Sequence, residues 1–134
     1  MVKLTAVSRY ALQAVVFLAT QKHNGPIASH HIAQATGVPE KFLLKALKPL
    51  ANGRVLRSLK GPNGGYRLVK APKEITLLEI IESVDRPIRG EVFPINGEEG
   101  NGLIRKLEPV FNEAAESVRR QLQKVKISDL IGKS

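Results

Sequence analysis

The run Lys60-Gly61-Pro62-Asn63-Gly64-Gly65-Tyr66-Arg67-Leu68 constrains the fold more than any other stretch of the chain. It joins two segments, Val55 to Leu59 and Tyr66 to Val69, that mix apolar with basic residues as half-buried strands do. Glycines supply the positive φ angles of tight turns, and Pro62 and Asn63 favour turn positions, so the segment predicts a basic β-hairpin. The forty residues before it read as two helices about a short turn. Ser29 to Thr36 is closed by Gly37, and a second helix opens at Pro39 and runs to Asn52-Gly53. Helix, turn, helix, basic hairpin is the order of a winged helix-turn-helix that reads DNA.

Charge supports this order. The 134 residues carry +9, but from Met1 to Pro72 eleven Lys and Arg face the single acid Glu40, a net of +10, while the remainder is −1. An excess confined to one half suggests that this half faces a polyanion, where a merely solvated basic face is the alternative. The length fits one domain. The absence of cysteine excludes disulfides and thiolate metal sites. Ala14 to Ala19 is too short an apolar stretch to span a membrane, so no membrane partner and a cytoplasmic location are expected.

In chain order, Thr5 to Gln21 shows the three-and-four apolar spacing of a helix with one buried face, stopped by Asn24-Gly25-Pro26. Lys3, Thr5, Ser8, Arg9 and Tyr10 gather donors at its N-terminus, where backbone N–H groups attract phosphate. The competing reading makes Thr5 or Ser8 a cap and Tyr10 a core residue. Ser29 is placed to cap the second helix, with a DNA contact as its functional reading. His30 and His31 diverge by roughly 100° on a helix and have no acid close in sequence, so they do not suggest a metal site.

The helix from Pro39 divides into a core stripe, Phe42, Leu43, Ala46, Leu47 and Leu50, and an outward face of Lys41, Leu44, Lys45 and Lys48. A recognition helix lays such a face in the major groove, where lysine donates to guanine or phosphate and Leu44 meets a thymine methyl. Pro49 should bend or end this helix near Lys48. The wing offers Arg54, Arg57 and Arg67, with Lys60 and Asn63 at the tip that reaches a groove or backbone. The glycines do not form a nucleotide loop, because a strand follows where such a loop needs a helix, and the required spacings are absent. No nucleophile elbow or paired-acid motif suggests an enzyme.

Thr76-Leu77-Leu78-Glu79 matches a capping box and opens a helix to about Val84. Asp85 to Gly102, with two prolines and four glycines, reads as an irregular connection. Glu91, Glu98 and Glu99 there are acids of a solvated loop, with a hard-cation site as the sharper alternative. Beyond it Leu103, Leu107, Val110, Phe111, Ala114, Val118, Leu122 and Val125 recur at three and four residues over about six turns. So long a stripe exceeds what one small domain needs, which predicts packing on a symmetry mate rather than on its own core. Pro109 should kink this helix or mark its first turn. Ser128-Asp129-Leu130-Ile131 is expected to form a terminal turn that docks on the partner.

The run Lys60 to Leu68 resembles the wing signature of the Rrf-two family of bacterial winged-helix transcription regulators, whose best-known members are iron–sulfur sensors of the IscR type. Leu4-Thr5-Ala6-Val7-Ser8-Arg9-Tyr10-Ala11 is similar to that family's first helix, and Ile127-Ser128-Asp129-Leu130-Ile131 to its closing segment. The resemblance implies a mainly α fold with a small β-hairpin wing: a DNA-binding unit over 1–84, a sensor-type loop over 85–102, and a dimerisation helix and terminal turn over 103–134. It implies DNA contacts from Lys3, Thr5, Ser8, Tyr10, Ser29, Lys41, Leu44, Lys45, Lys48 and the wing residues Lys60, Gly61, Pro62, Asn63, Gly64, Gly65, Tyr66 and Arg67. Cluster-binding members carry three cysteines in the connection; Arg89 to Asn101 has none, so the usual cluster cannot form and no cofactor is expected. The expected function is a homodimeric regulator, most often a repressor, on a pseudo-palindromic operator in double-stranded DNA. The alternative is a switch answering to a small-molecule effector or partner protein.

Overall fold

The computed structural model describes residues 2–22, 25–98 and 100–132. Along it lie α1 (Ala6–Ala19), α2 (Ser29–Thr36), α3 (Glu40–Asn52), β1 (Leu56–Leu59), β2 (Gly65–Leu68), a 3-10 turn at Pro72–Glu74, α4 (Leu77–Val84), α5 (Gly102–Gln123) and α6 (Ile127–Leu130). The architecture is therefore mainly helical with one two-stranded antiparallel hairpin, as expected.

Helical spacing of small and large apolar residues builds the core. Ala11, Ala14 and Val15 of α1 are fully buried, and the two alanines bring α1 close against α3. Leu43, Ala46, Leu47 and Leu50 of α3 are equally buried; each leucine contributes about 1.5–3 kcal/mol by leaving water. Ile32 from α2, Ile80 from α4 and Ile127 from the C-terminal segment complete one contiguous cluster.

Antiparallel pairing joins Leu56 to Leu68, Arg57 to Arg67, Ser58 to Tyr66 and Leu59 to Gly65. A third chain segment, not anticipated, flanks the hairpin: Ile27 and Tyr66 exchange both backbone hydrogen bonds at 2.9 Å. Gly65 is what permits this, since it takes φ 151° and a Cβ there would strike the Ile27 carbonyl. The base of the wing is thus anchored to the segment before α2.

Several expectations are corrected. α1 ends at Ala19 with Thr20 as its cap, earlier than the Asn24-Gly25-Pro26 stop, of which Asn24 lies outside the described residues. Ser29 does not cap α2; Ala28 holds that position, and the Ser29 hydroxyl donates to Glu40 Oε2 at 2.5 Å. α3 does not end near Lys48 but continues through Pro49 to Asn52, with Leu47 and Leu50 on either side of the proline fully buried. Thr76 caps α4, accepting from Glu79 N at 3.0 Å, but the Glu79 carboxylate turns to Lys70 Nζ at 3.1 Å instead of completing the box. Pro109 sits inside α5 rather than in its first turn.

The C-terminus departs most. Val125 lies beyond α5, and its carbonyl accepts from Leu77 N at 2.8 Å. Ile127 N in turn donates to Ile75 O at 2.8 Å, and the Ile127 side chain is fully buried. Ile127 thus docks this segment on the chain's own core, while Ser128, Asp129 and Leu130 stay exposed. The connection over 86–101 contains no helix or strand among its described residues. Gly90 lets it press on α5, for a Cβ there would strike the Phe111 backbone.

Candidate nucleic-acid interface

The helix-turn-helix presents α3 outward because its inner face is saturated with aliphatic side chains. Lys41, Lys45 and Lys48 are exposed along the opposite face. Leu44 and Phe42 exchange the environments expected of them. Leu44 is half-buried against the core, whereas Phe42 is 37% exposed. Both lie on the flanks of the buried stripe, where spacing alone does not decide, and the neighbouring element does: Tyr10 of α1 stacks on Phe42 with centroids 6.4 Å apart and planes inclined 19°. Lys41 Nζ and Lys45 Nζ stand 5.0 and 5.8 Å from the Phe42 centroid. The outward face is therefore basic with one aromatic ring set into it.

At the start of α1 the polar residues separate into two kinds. Lys3 and Arg9 are exposed. Thr5 is the N-cap, accepting from Ser8 N at 3.1 Å, and its hydroxyl donates to Asp85 Oδ2 at 2.9 Å. Ser8 is fully buried and its hydroxyl donates to the same oxygen at 2.6 Å. A buried hydroxyl with its hydrogen bond made has nothing left for a phosphate, so Ser8 fastens α1 to the end of α4, and Thr5 shares that work.

The wing tip, Lys60, Gly61, Pro62 and Asn63, is exposed, while Gly64, Gly65, Tyr66 and Arg67 are half-buried. Tyr66 is committed through its backbone to Ile27. The Arg67 Nε atom is buried with no hydrogen-bond partner among the described residues. Arg57 and Arg67 face each other across the ribbon, a like-charge pairing that is unfavourable unless an anion neutralises it.

The charge arrangement separates this half from the other. Of the eleven basic residues before Lys73, only Lys70 forms an ion pair with a carboxylate among the described residues. The other ten lie at and before the start of α1, on α3, around the wing and at Lys22, and all but the half-buried Arg67 are exposed. His30 and His31, with rings 4.2 Å apart, are exposed, and the described residues contain no group of three or more metal-ligating side chains.

A family model described as an iron-dependent transcriptional regulator, Rrf2, matches residues 4–133. The chain is 29% identical over 132 residues to the transcriptional regulator NsrR of Bacillus licheniformis, covering 96% of this chain and 92% of that one. It is 32% identical over 98 residues to IscR of Aliivibrio salmonicida, covering 73% and 57%. Among solved structures it is similar to CymR, the global cysteine regulator of B. subtilis, with a TM-score of 0.73 and 28% identity over 98% of this chain and 97% of that one. The iron of the family description does not fit the donors present: the chain has no cysteine, and Glu98 in the connection spends Oε1 on Ile95 N at 2.7 Å. Glu99 lies outside the described residues. With helix-turn-helix, wing and long C-terminal helix all in place, the chain belongs to the Rrf2 family and is a DNA-binding transcriptional regulator, not an enzyme.

Proposed function

We propose that this protein acts in the cytoplasm as a homodimeric repressor, binding a pseudo-palindromic operator without an iron–sulfur cluster. The observation that carries the reading is the set of ten basic side chains that have no carboxylate partner among the described residues. Unpaired cations repel one another, and pairing them with DNA phosphates relieves this while releasing the counterions condensed on the duplex. Lys41, Lys45 and Lys48 enter the major groove. Lys3, Arg9, Arg57 and Arg67 meet the backbone, and Lys60 and Asn63 lie at the wing tip. No helix of the described residues is long and apolar enough to cross a membrane.

Titration of a selected operator and of random duplex across a salt series tests this reading. A steep decline with salt, two chains per site and a preference of about a thousandfold are expected. Weak, sequence-indifferent binding would refute it. A second reading, a switch answering to a small molecule or partner protein, draws on Phe93 and Ile95, which stand 79% and 72% exposed in the connection. Ligand-dependent thermal stability or a stoichiometric co-purifying protein would favour it.

A further inference from the structure

We propose that Phe42 reads the 5-methyl group of a thymine in each operator half-site, with Tyr10 holding the ring in position. The inference rests on the operator-binding reading above and names the base chemistry that the site takes.

Phe42 is the third residue of α3, in the part of a recognition helix that reaches base edges. The rest of the outward face is ammonium groups, which donate to guanine O6 and N7 or to phosphate and gain nothing from a methyl. An aromatic ring 37% exposed among them offers the converse, an apolar surface with no donor. In the major groove the thymine methyl is the apolar group for which such a ring is suited. The ring is also pre-positioned. Tyr10 stacks on it from α1, which is itself fastened by Thr5 and Ser8 to Asp85. Little side-chain freedom remains to be lost on docking.

The two lysines add a constraint on the sequence recognised. Their ammonium nitrogens lie 5.0 and 5.8 Å from the ring centroid, while successive base pairs are about 3.4 Å apart. A guanine read by Lys41 or Lys45 therefore falls within roughly two base pairs of the thymine read by Phe42.

The experiment replaces each thymine of the selected operator by uracil, which removes one methyl and leaves every hydrogen-bonding group in place. For the wild-type protein, one position per half-site should lower affinity about fourfold, and the symmetric double replacement roughly fifteenfold. In Phe42→Ala the thymine-to-uracil ratio at that position should fall to about one. Phe42→Gln supplies the same comparison should the alanine variant not fold. A ratio is internal to each variant, so a purely structural role for Phe42 would not move it. Wild-type binding that is specific but indifferent to every methyl overturns the assignment, as does a methyl effect that persists in both variants. Wild-type protein that does not prefer the selected duplex removes the operator-binding reading and this inference with it.

Discussion

Arg54 occupies a position where a helix end asks for glycine. Val55 N donates to Leu50 O at 3.0 Å and Arg54 N to Ala51 O at 3.1 Å, the two bonds of a Schellman cap, with Val55 and Leu50 both buried beneath. The cap requires a positive φ at its penultimate residue, and Arg54 supplies it at 62°. The sequence offers a glycine one position too early, at Gly53, and the reason lies on α4: a Cβ on Gly53 would strike Ser83 Oγ. Local pattern reading put the helix end correctly at Asn52-Gly53 but could not see which residue bears the strain, because Ser83 is remote in sequence. The same blindness hid the burial of Ser8, whose partner Asp85 is equally distant. A strained residue retained with its side chain in solvent points to a use for that side chain. Arg54→Gly should therefore raise stability by about 0.5–1 kcal/mol, read by denaturant titration. It should also weaken all duplexes alike and flatten the log–log salt slope by about 0.9. A more stable variant with unaltered DNA affinity would leave the strain without that function.

Among the elements, α4 is the joint between the DNA-facing helices and the long helix. Its end holds α1 through Asp85, and one turn earlier Glu82 makes two 3.0 Å bonds to Arg119 of α5 while accepting from Ile88 N at 2.8 Å. Periodicity found α4 and α5 as elements; the ion pair between them was not legible, since acids and arginines on helix surfaces are common and spacing does not pair them. Hydrogen bonding from Arg119 outweighs partial burial and holds the Glu82 carboxyl below its ordinary value. A carboxylate with a depressed folded value stabilises the fold above its unfolded pKa, near 4.5, and loses that contribution as pH falls through the lower folded value. Glu82→Gln should thus cost about 1–2 kcal/mol at pH 7, and wild type and variant should converge as the pH falls below 4.5. A difference that persists unchanged in acid would place the effect in packing instead. Asp85→Ala, which strands the buried Ser8 hydroxyl, should cost about 1–3 kcal/mol.

At the scale of the whole molecule, part of the apolar stripe of α5 stays exposed although the helix packs on α4. Leu103, Val110 and Phe111 are 62%, 59% and 47% exposed, whereas Leu107, Val118 and Leu122 are half-buried. The stripe itself was legible in the three-and-four spacing. Its lower end was not: Val125 continues the spacing but lies beyond α5, its carbonyl accepting from Leu77 N, and two residues on Ile127 N donates to Ile75 O. On the proposed reading two copies pack along the exposed part, so Val110→Glu should halve the molecular mass in solution while circular dichroism retains the helical content, because that side chain lies outside the buried core of the single chain. DNA binding then gives a second, independent readout. A dimer releases counterions from both half-sites in one event, so a monomer should show about half the salt slope and bind the full operator no more tightly than an isolated half-site. A variant that stays dimeric would move the interface off this stripe. A monomer that keeps the full slope would mean that one chain makes every phosphate contact, which the ten basic residues before Lys73 without a carboxylate partner among the described residues are numerous enough to allow, and the two-fold operator would have to be abandoned.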